Sequence, residues 1–158
     1  MDFFVPCWII LSQIFSFTPS VSYFKKQFPL MEQRMLICNR IGNEARKQEV
    51  DPILAISVAM LESSFSNSTS TKGAIGPLGV IPKYHCPKKG KCDYTKAGVK
   101  ALNKFLDLHP NDRCTALAQY NKGLDGVCKE GNSEYKYAIY VLGLYNMVCE
   151  ATDMCKVC

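Results

Sequence analysis

Glu62 is the residue of this chain best placed to move a proton. It closes the almost wholly apolar run PILAISVAML (Pro52–Leu61), and the next acid after it is Asp93. A carboxylate near the C-terminal end of a buried helix meets the partial negative charge of the helix dipole. Apolar neighbours add a desolvation penalty. Both effects raise its pKa. A carboxyl group still protonated near neutral pH can donate that proton to a leaving-group oxygen, which is what cleavage of a glycosidic bond requires. Taken by its position alone, Glu62 fits an ordinary glutamate on an exposed last turn better than an acid catalyst. The balance shifts only with the residues around it.

The elements that would hold Glu62 read as helices. Met31, Met35, Cys38, Ile41 and Ala45 recur at helical spacing and predict an amphipathic helix over roughly 30–48. Asp51-Pro52 is a helix-start signal, since Asp can cap and Pro suits the first turn. The helix that it opens is apolar nearly all round, as a buried helix is. Thr95 precedes a third helix with Ala101, Leu102, Phe105 and Leu106 on one face. Asn111 or Asp112 caps a fourth, RCTALAQYN, which stops at Gly123. Ser133 starts a fifth, striped by Tyr137, Tyr140, Val141, Leu144, Tyr145 and Val148. Residues 64–94 are rich in glycine and proline and predict a loop, with a short strand pair around GPLGVIP. The expected fold class is therefore mainly α, with a small irregular or β element after the helix that carries Glu62.

The chain has 158 residues, enough for one ordinary domain. A hydrophobic content of 47% with 21% charged residues excludes a disordered chain. The net charge of +5 is mild and, apart from Lys88, Lys89 and Lys91, spread out. A nucleic-acid binder carries a denser basic stripe, so none is expected as partner; an anionic polymer such as a cell wall suits this charge. Residues 1–22 contain FFVPCWIILSQIF, the length of a signal-peptide core, followed by the small residues Ser20-Val21-Ser22. They read as an export leader, although Asp2 precedes the apolar run and no Lys or Arg does. An uncleaved anchor and a plain apolar N-terminal helix are the other readings. The expected organisation is a leader over 1–22 and a single domain over 23–158 with a cysteine-rich tail.

Nine cysteines stand at 7, 38, 86, 92, 114, 128, 149, 155 and 158. Loss of the leader removes Cys7 and leaves an even set of eight, the arithmetic of an exported disulfide domain. Cys86 and Cys92 flank the short loop PKKGK and predict a local bridge. Only Cys155-Lys-Val-Cys158 has zinc-like spacing, with no second pair to match it. His85 and His109 fall in no ligand pattern and are expected at the surface. Neither a metal nor a cofactor is expected.

From Val50 onward, VDPILAISVAMLESSFSNSTSTKGAIGPLGVIP resembles the motif of soluble lytic transglycosylases and goose-type lysozymes. In that family a buried helix ends in Glu-Ser, here Glu62-Ser63. A Ser/Asn-rich loop follows, then Gly-Ala-x-Gly (Gly73 to Gly76) and an apolar segment ending in Pro (Val80-Ile81-Pro82). ALAQYNKG (Ala116 to Gly123) is similar to the family's Ala-x-x-Tyr-Asn-x-Gly motif. EYKYAIYVL (Glu134 to Leu142) is similar to its closing segment. KAGVKALNKFL resembles the helix leading into the Tyr-Asn motif. The resemblance spans roughly residues 31–146.

The resemblance implies a lysozyme-like α+β fold and a role for each matched residue. Glu62 would protonate the oxygen between N-acetylmuramic acid and N-acetylglucosamine, then take the proton of the muramic C6 hydroxyl as that oxygen attacks C1. The product is a 1,6-anhydro sugar, and no water is consumed. A single carboxylate suffices, where ordinary glycosidases place two across the bond. Tyr120 and Asn121 would line the cleft, Tyr137 would orient the acid, and Ser70 would contact sugar. Ser63, which follows the acid, has backbone satisfaction as its other reading. Taken from the residues alone, Tyr120 fits a core tyrosine as well, Asn121 a helix-end residue, and Tyr137 one member of a packing stripe. The chain departs from the motif where Pro77-Leu78-Gly79 stands for Leu-Met-Gln, so Gly79 lacks the amide that binds substrate there. The expectation is an exported, monomeric protein, periplasmic or extracellular, acting on peptidoglycan glycan strands. A hydrolytic muramidase on the same fold would need a base, with Asp93 or Asp112 as candidates. A non-catalytic peptidoglycan-binding protein is the other alternative.

Overall fold

The computed structural model describes residues 3–15 and 21–155. Seven helices form among them: α1 (Phe4–Phe15), α2 (Val21–Lys47), α3 (Pro52–Ser63), α4 (Pro82–His85), α5 (Tyr94–Leu108), α6 (Arg113–Lys122) and α7 (Ser133–Thr152). The fold is mainly α. The expected strand pair is reduced to two isolated antiparallel bridges, Thr69 with Ile75 and Ile75 with Val80.

Helix α3 is the axis of the core. Every residue from Ile53 to Ala59 is buried, as the all-round apolar sequence requires. It packs between α2 and α7, and α1 also touches it. Its start is tied down. One carboxylate oxygen of Asp51 accepts from the backbone N–H groups of Ile53 and Leu54, at 3.1 and 3.3 Å. The other accepts from the Arg113 guanidinium at 3.1 Å and the Tyr145 hydroxyl at 2.8 Å. One aspartate thereby fixes α3 against α6 and α7. At the other end, Ser64 and Phe65 both take left-handed backbone conformations, with φ of 52° and 61°. That conformation is unfavourable for residues bearing a Cβ, and the fully buried ring of Phe65 holds the reversal in place.

Helix α5 is amphipathic and buries Val99, Ala101, Leu102 and Phe105. Its cap is Asp93, whose side chain accepts from the Lys96 N–H at 3.1 Å, so the helix begins at Tyr94 and takes in Thr95, which was expected to precede it. Asp112 caps α6 through the N–H and hydroxyl of Thr115. The four-residue helix α4 was not foreseen; Pro82 at its first position starts it. Helix α2 begins nine residues ahead of the expected residue 30.

The cysteine pairing departs from the expected set. Four bridges form: Cys7–Cys38, Cys86–Cys92, Cys114–Cys128 and Cys149–Cys155. Cys7 is thus paired, and Cys158 lies outside the described residues, as does Ser20 of the expected cleavage sequence. The local Cys86–Cys92 bridge is the one foreseen. Four disulfides fit an oxidising environment. Helix α1, which carries Cys7, sits on the core with Phe3, Cys7, Ile10 and Leu11 buried. The Phe3 N–H donates to the Asn39 side chain at 2.9 Å. The Phe3 ring rests where a Cβ on Gly42 would stand, 2.6 Å from that point, so only glycine at 42 lets α1 approach α2 this closely. In the folded full chain, therefore, the segment read as a leader supplies part of the core. Among the described residues no helix is long and apolar enough to cross a membrane.

Candidate functional site

The reversal after α3 throws the loop 64–81 back across the end of that helix. A cleft of about 490 Å³ opens between this loop, α4, α5 and α6. Glu62, Ser63, Ser70, Tyr120 and Asn121 all line it. Tyr137 does not line it but reaches Glu62 from α7. Its hydroxyl donates to Glu62 Oε1 at 2.7 Å. All six residues singled out by sequence are thus gathered at one place, from α3, the following loop, α6 and α7.

The electrostatics follow from this packing. Burial raises the pKa of Glu62 above its ordinary 4.5, and the Tyr137 hydrogen bond pulls against it as the smaller effect. The hydroxyls of Tyr120 and Tyr137 are pushed well up, first by burial and then by the neighbouring Glu62 charge. Both phenols therefore stay protonated and act as donors. The result is a carboxyl group that holds its proton more tightly than usual at the floor of an open cleft.

The other side chains divide by what already occupies them. The Ser63 hydroxyl donates to the Pro77 carbonyl at 2.8 Å and accepts from the Ser66 N–H at 3.1 Å. The Tyr120 hydroxyl donates to the Leu78 carbonyl at 2.5 Å, and its ring packs edge-on to Phe105. These two residues brace the Pro77–Gly79 turn, so their hydroxyls are committed to backbone. The Ser70 hydroxyl accepts from the Ala74 N–H within its own turn. Asn121 is exposed on the cleft wall, and its amide makes no hydrogen bond to any described residue. Its donors and acceptor face the cleft uncommitted.

Gly79 has a role that the sequence comparison hides. Its φ is +62°, and a Cβ there would lie 2.6 Å from Glu62 Oε2 and 3.2 Å from Glu62 Cδ. The carboxyl group thus rests directly on the Gly79 backbone, with Tyr137 on its other oxygen. The position taken for a lost substrate-binding amide is the seat of the acid itself.

Sequence reading also passed over Lys122 and Glu134. Glu134 is 2% exposed and accepts from Lys122 Nζ at 3.1 Å and from the Ser133 hydroxyl at 3.2 Å. Lys122 and Ser133 line the cleft. The signal was present as an acid in the first turn of α7, but its partner is twelve residues upstream on another helix. His85 is exposed and edges the cleft; desolvation, then the Lys104 cation, lowers its pKa. His109 is half-buried and bonded to Gln119 at 2.9 Å. Asp93 and Asp112 are spent as helix caps and do not line the cleft. Among the described residues no cluster of His, Cys, Asp and Glu could hold a metal ion. Compared with models of protein families, with characterised proteins and with solved structures, the chain gives no match.

Proposed function

We propose that this protein is an exported peptidoglycan lytic transglycosylase with a lysozyme-like fold. Glu62 protonates the oxygen of the bond between N-acetylmuramic acid and N-acetylglucosamine, and the N-acetylglucosamine leaves with that proton. The resulting carboxylate then takes the proton of the muramic C6 hydroxyl while its oxygen bonds to C1. The 1,6-anhydro ring closes, and Glu62 is protonated again. One observation carries the reading: a single carboxyl group with a raised pKa, oriented by Tyr137 at 2.7 Å, at the floor of a cleft large enough for sugar rings. The muramic N-acetyl group would support the charge at C1, in place of the second carboxylate of ordinary glycosidases.

A hydrolytic muramidase is less well supported, because both aspartates considered as its base cap helices outside the cleft. A non-catalytic wall binder is also less well supported, since Gly79 seats Glu62. The test uses the full oxidised chain on purified sacculi, with Glu62→Gln as control and mass spectrometry of released muropeptides. Fragments one water lighter than hydrolysis products, absent with the variant, are expected. Hydrated products would make the protein a lysozyme, and no Glu62-dependent release would end the enzymatic reading.

A further inference from the structure

The chain's net charge sits in one place. Residues 63–92 contain Lys72, Lys83, Lys88, Lys89 and Lys91 and no Asp or Glu. Five of the 19 Lys and Arg fall there, so the remaining 14 balance the 14 Asp and Glu of the chain. The +5 of the whole protein is therefore the charge of the segment that walls the cleft. All five lysines are exposed. Among the described residues no carboxylate stands within ion-pair distance of any of them, whereas Arg113 and Lys122 elsewhere are paired.

Four of the five lie on one small built unit. Helix α4 leads into the loop closed by Cys86–Cys92, whose Cα atoms are 5.5 Å apart, and the loop PKKGK projects between them. His85 of this unit and Ile81 just before it line the Glu62 cleft. Pro82, Lys83, Cys86, Lys91 and Tyr94 line a second depression of about 560 Å³. The two depressions share the α4 segment as a common rim. On that rim Tyr84 is 69% exposed, with Lys83 Nζ 5.5 Å from its ring centroid. An exposed ring flanked by unpaired cations offers a stacking face for a sugar and charge for its acidic substituents.

We propose that the disulfide-closed unit 82–92 is a docking site for an anionic glycan strand, which it feeds into the Glu62 cleft. Lys83, Lys88, Lys89 and Lys91 bind carboxylate or phosphate groups along the strand, and Tyr84 stacks on a neutral ring. The proposal rests on the glycan-cleaving reading of Glu62. In peptidoglycan the negative groups are the carboxylates of its peptides or the phosphates of attached polymers.

The test measures co-sedimentation of the full oxidised chain with purified sacculi at low and at physiological salt. All proteins carry Glu62→Gln so that the sacculi stay intact. The triple variant Lys88→Ala/Lys89→Ala/Lys91→Ala is compared with Lys47→Ala/Lys96→Ala/Lys100→Ala, exposed lysines away from the unit. At low salt the loop variant should bind at least about tenfold more weakly, with a flatter salt dependence, and the control like the parent. Equal binding by both triples, or salt-independent binding, overturns the proposal. Hydrofluoric acid treatment strips phosphate polymers, and amidase treatment strips peptides; the treatment that abolishes the difference between the triples names the anion. Stronger binding to phosphatidylglycerol vesicles than to sacculi, lost in the loop variant, overturns it in favour of a membrane surface. Failure of the catalytic reading is separable. It appears as absence of anhydro products from the protein with Glu62 intact, whatever the loop variant does.

Discussion

Gly79→Ala tests the geometry of the site with one added carbon. The backbone at 79 is left-handed, with φ +62°, and an alanine there costs about 1–2 kcal/mol. For a chain of this length that lowers Tm by a few degrees. The added Cβ also falls 2.6 Å from Glu62 Oε2, closer than real atoms approach. The carboxyl group is the flexible partner, so it moves. The cleft that Glu62 lines gives it room, and the move breaks the 2.7 Å bond to Tyr137. A displacement of about 1 Å costs roughly a hundredfold in rate. The pKa of Glu62 moves too. Burial, the larger influence, raises it, and the Tyr137 bond, the smaller, lowers it. Losing both brings it down, toward the ordinary 4.5. Carbon-13 NMR of labelled glutamate carboxyls reads that titration directly, beside the release rate from sacculi. Gly79→Asn separates the two effects, because asparagine accepts the left-handed backbone better than alanine but carries the same Cβ. It should regain stability and not activity. A Gly79→Ala protein with wild-type rate and an unmoved Glu62 titration would refute the idea that the acid is seated on this glycine.

Tyr137→Phe removes the hydrogen bond that favours the charged form of Glu62, so the Glu62 titration should move further up and the alkaline limb of the pH–rate profile with it; a downward move would count against the assignment. Glu62→Gln should stabilise the fold at neutral pH. A carboxyl whose pKa is raised on folding is fully compatible with the fold below 4.5 and penalises it as pH rises through the raised value. The melting-temperature gain should therefore vanish at acid pH, and a gain constant with pH would contradict the buried-acid picture. Tyr120→Phe leaves the Leu78 carbonyl without its hydroxyl partner, which costs about 1–3 kcal/mol in a denaturant titration; no loss would mean that the turn is held by other contacts. Cys7→Ser/Cys38→Ser opens a bridge across a sequence separation of 31 residues, for which chain entropy gives about 3–4 kcal/mol. Limited proteolysis should then cut α1 away first, and unchanged resistance would show that packing alone retains it.

What the sequence disclosed was whatever depends on local chemistry. The caps Asp51 and Asp112, the stop at Gly123 and the apolar faces of α5 and α7 are each written within a few residues, and the helices follow them. The bridge Cys86–Cys92 was legible because its span is short. The fate of residues 3–15 was not. An apolar helix suited to a leader is equally suited to a core, and the choice in this fold depends on Gly42 admitting the Phe3 ring and on Cys38 facing Cys7. Both partners lie some thirty residues away or more. Tyr137 stood in a tyrosine stripe where packing and function look alike, and the 2.7 Å contact to a residue 75 positions upstream separates it from its neighbours.

Gly79 shows why a missing residue is a poor guide to a missing function. Against a motif that places glutamine there, glycine looks like a lost contact. In the fold the same atoms are accounted for differently: Ser63 and Tyr120 grip the carbonyls of Pro77 and Leu78, and the turn they hold brings the bare Cα of Gly79 under Glu62. On the transglycosylase reading, the binding that glutamine would provide comes from elsewhere on the cleft, and two features offer it. Asn121 faces the cleft with its amide uncommitted, and the basic unit 82–92 extends the cleft beyond α4. Asn121→Ala measures that exchange. If Asn121 has taken over the role, its loss should raise KM about two- to tenfold and leave kcat and the Glu62 titration in place, since a single neutral hydrogen bond to substrate is worth about 0.5–1.5 kcal/mol. A fall in kcat with KM unchanged would instead put Asn121 in the transition state, and the substrate would have to be held by the basic unit alone.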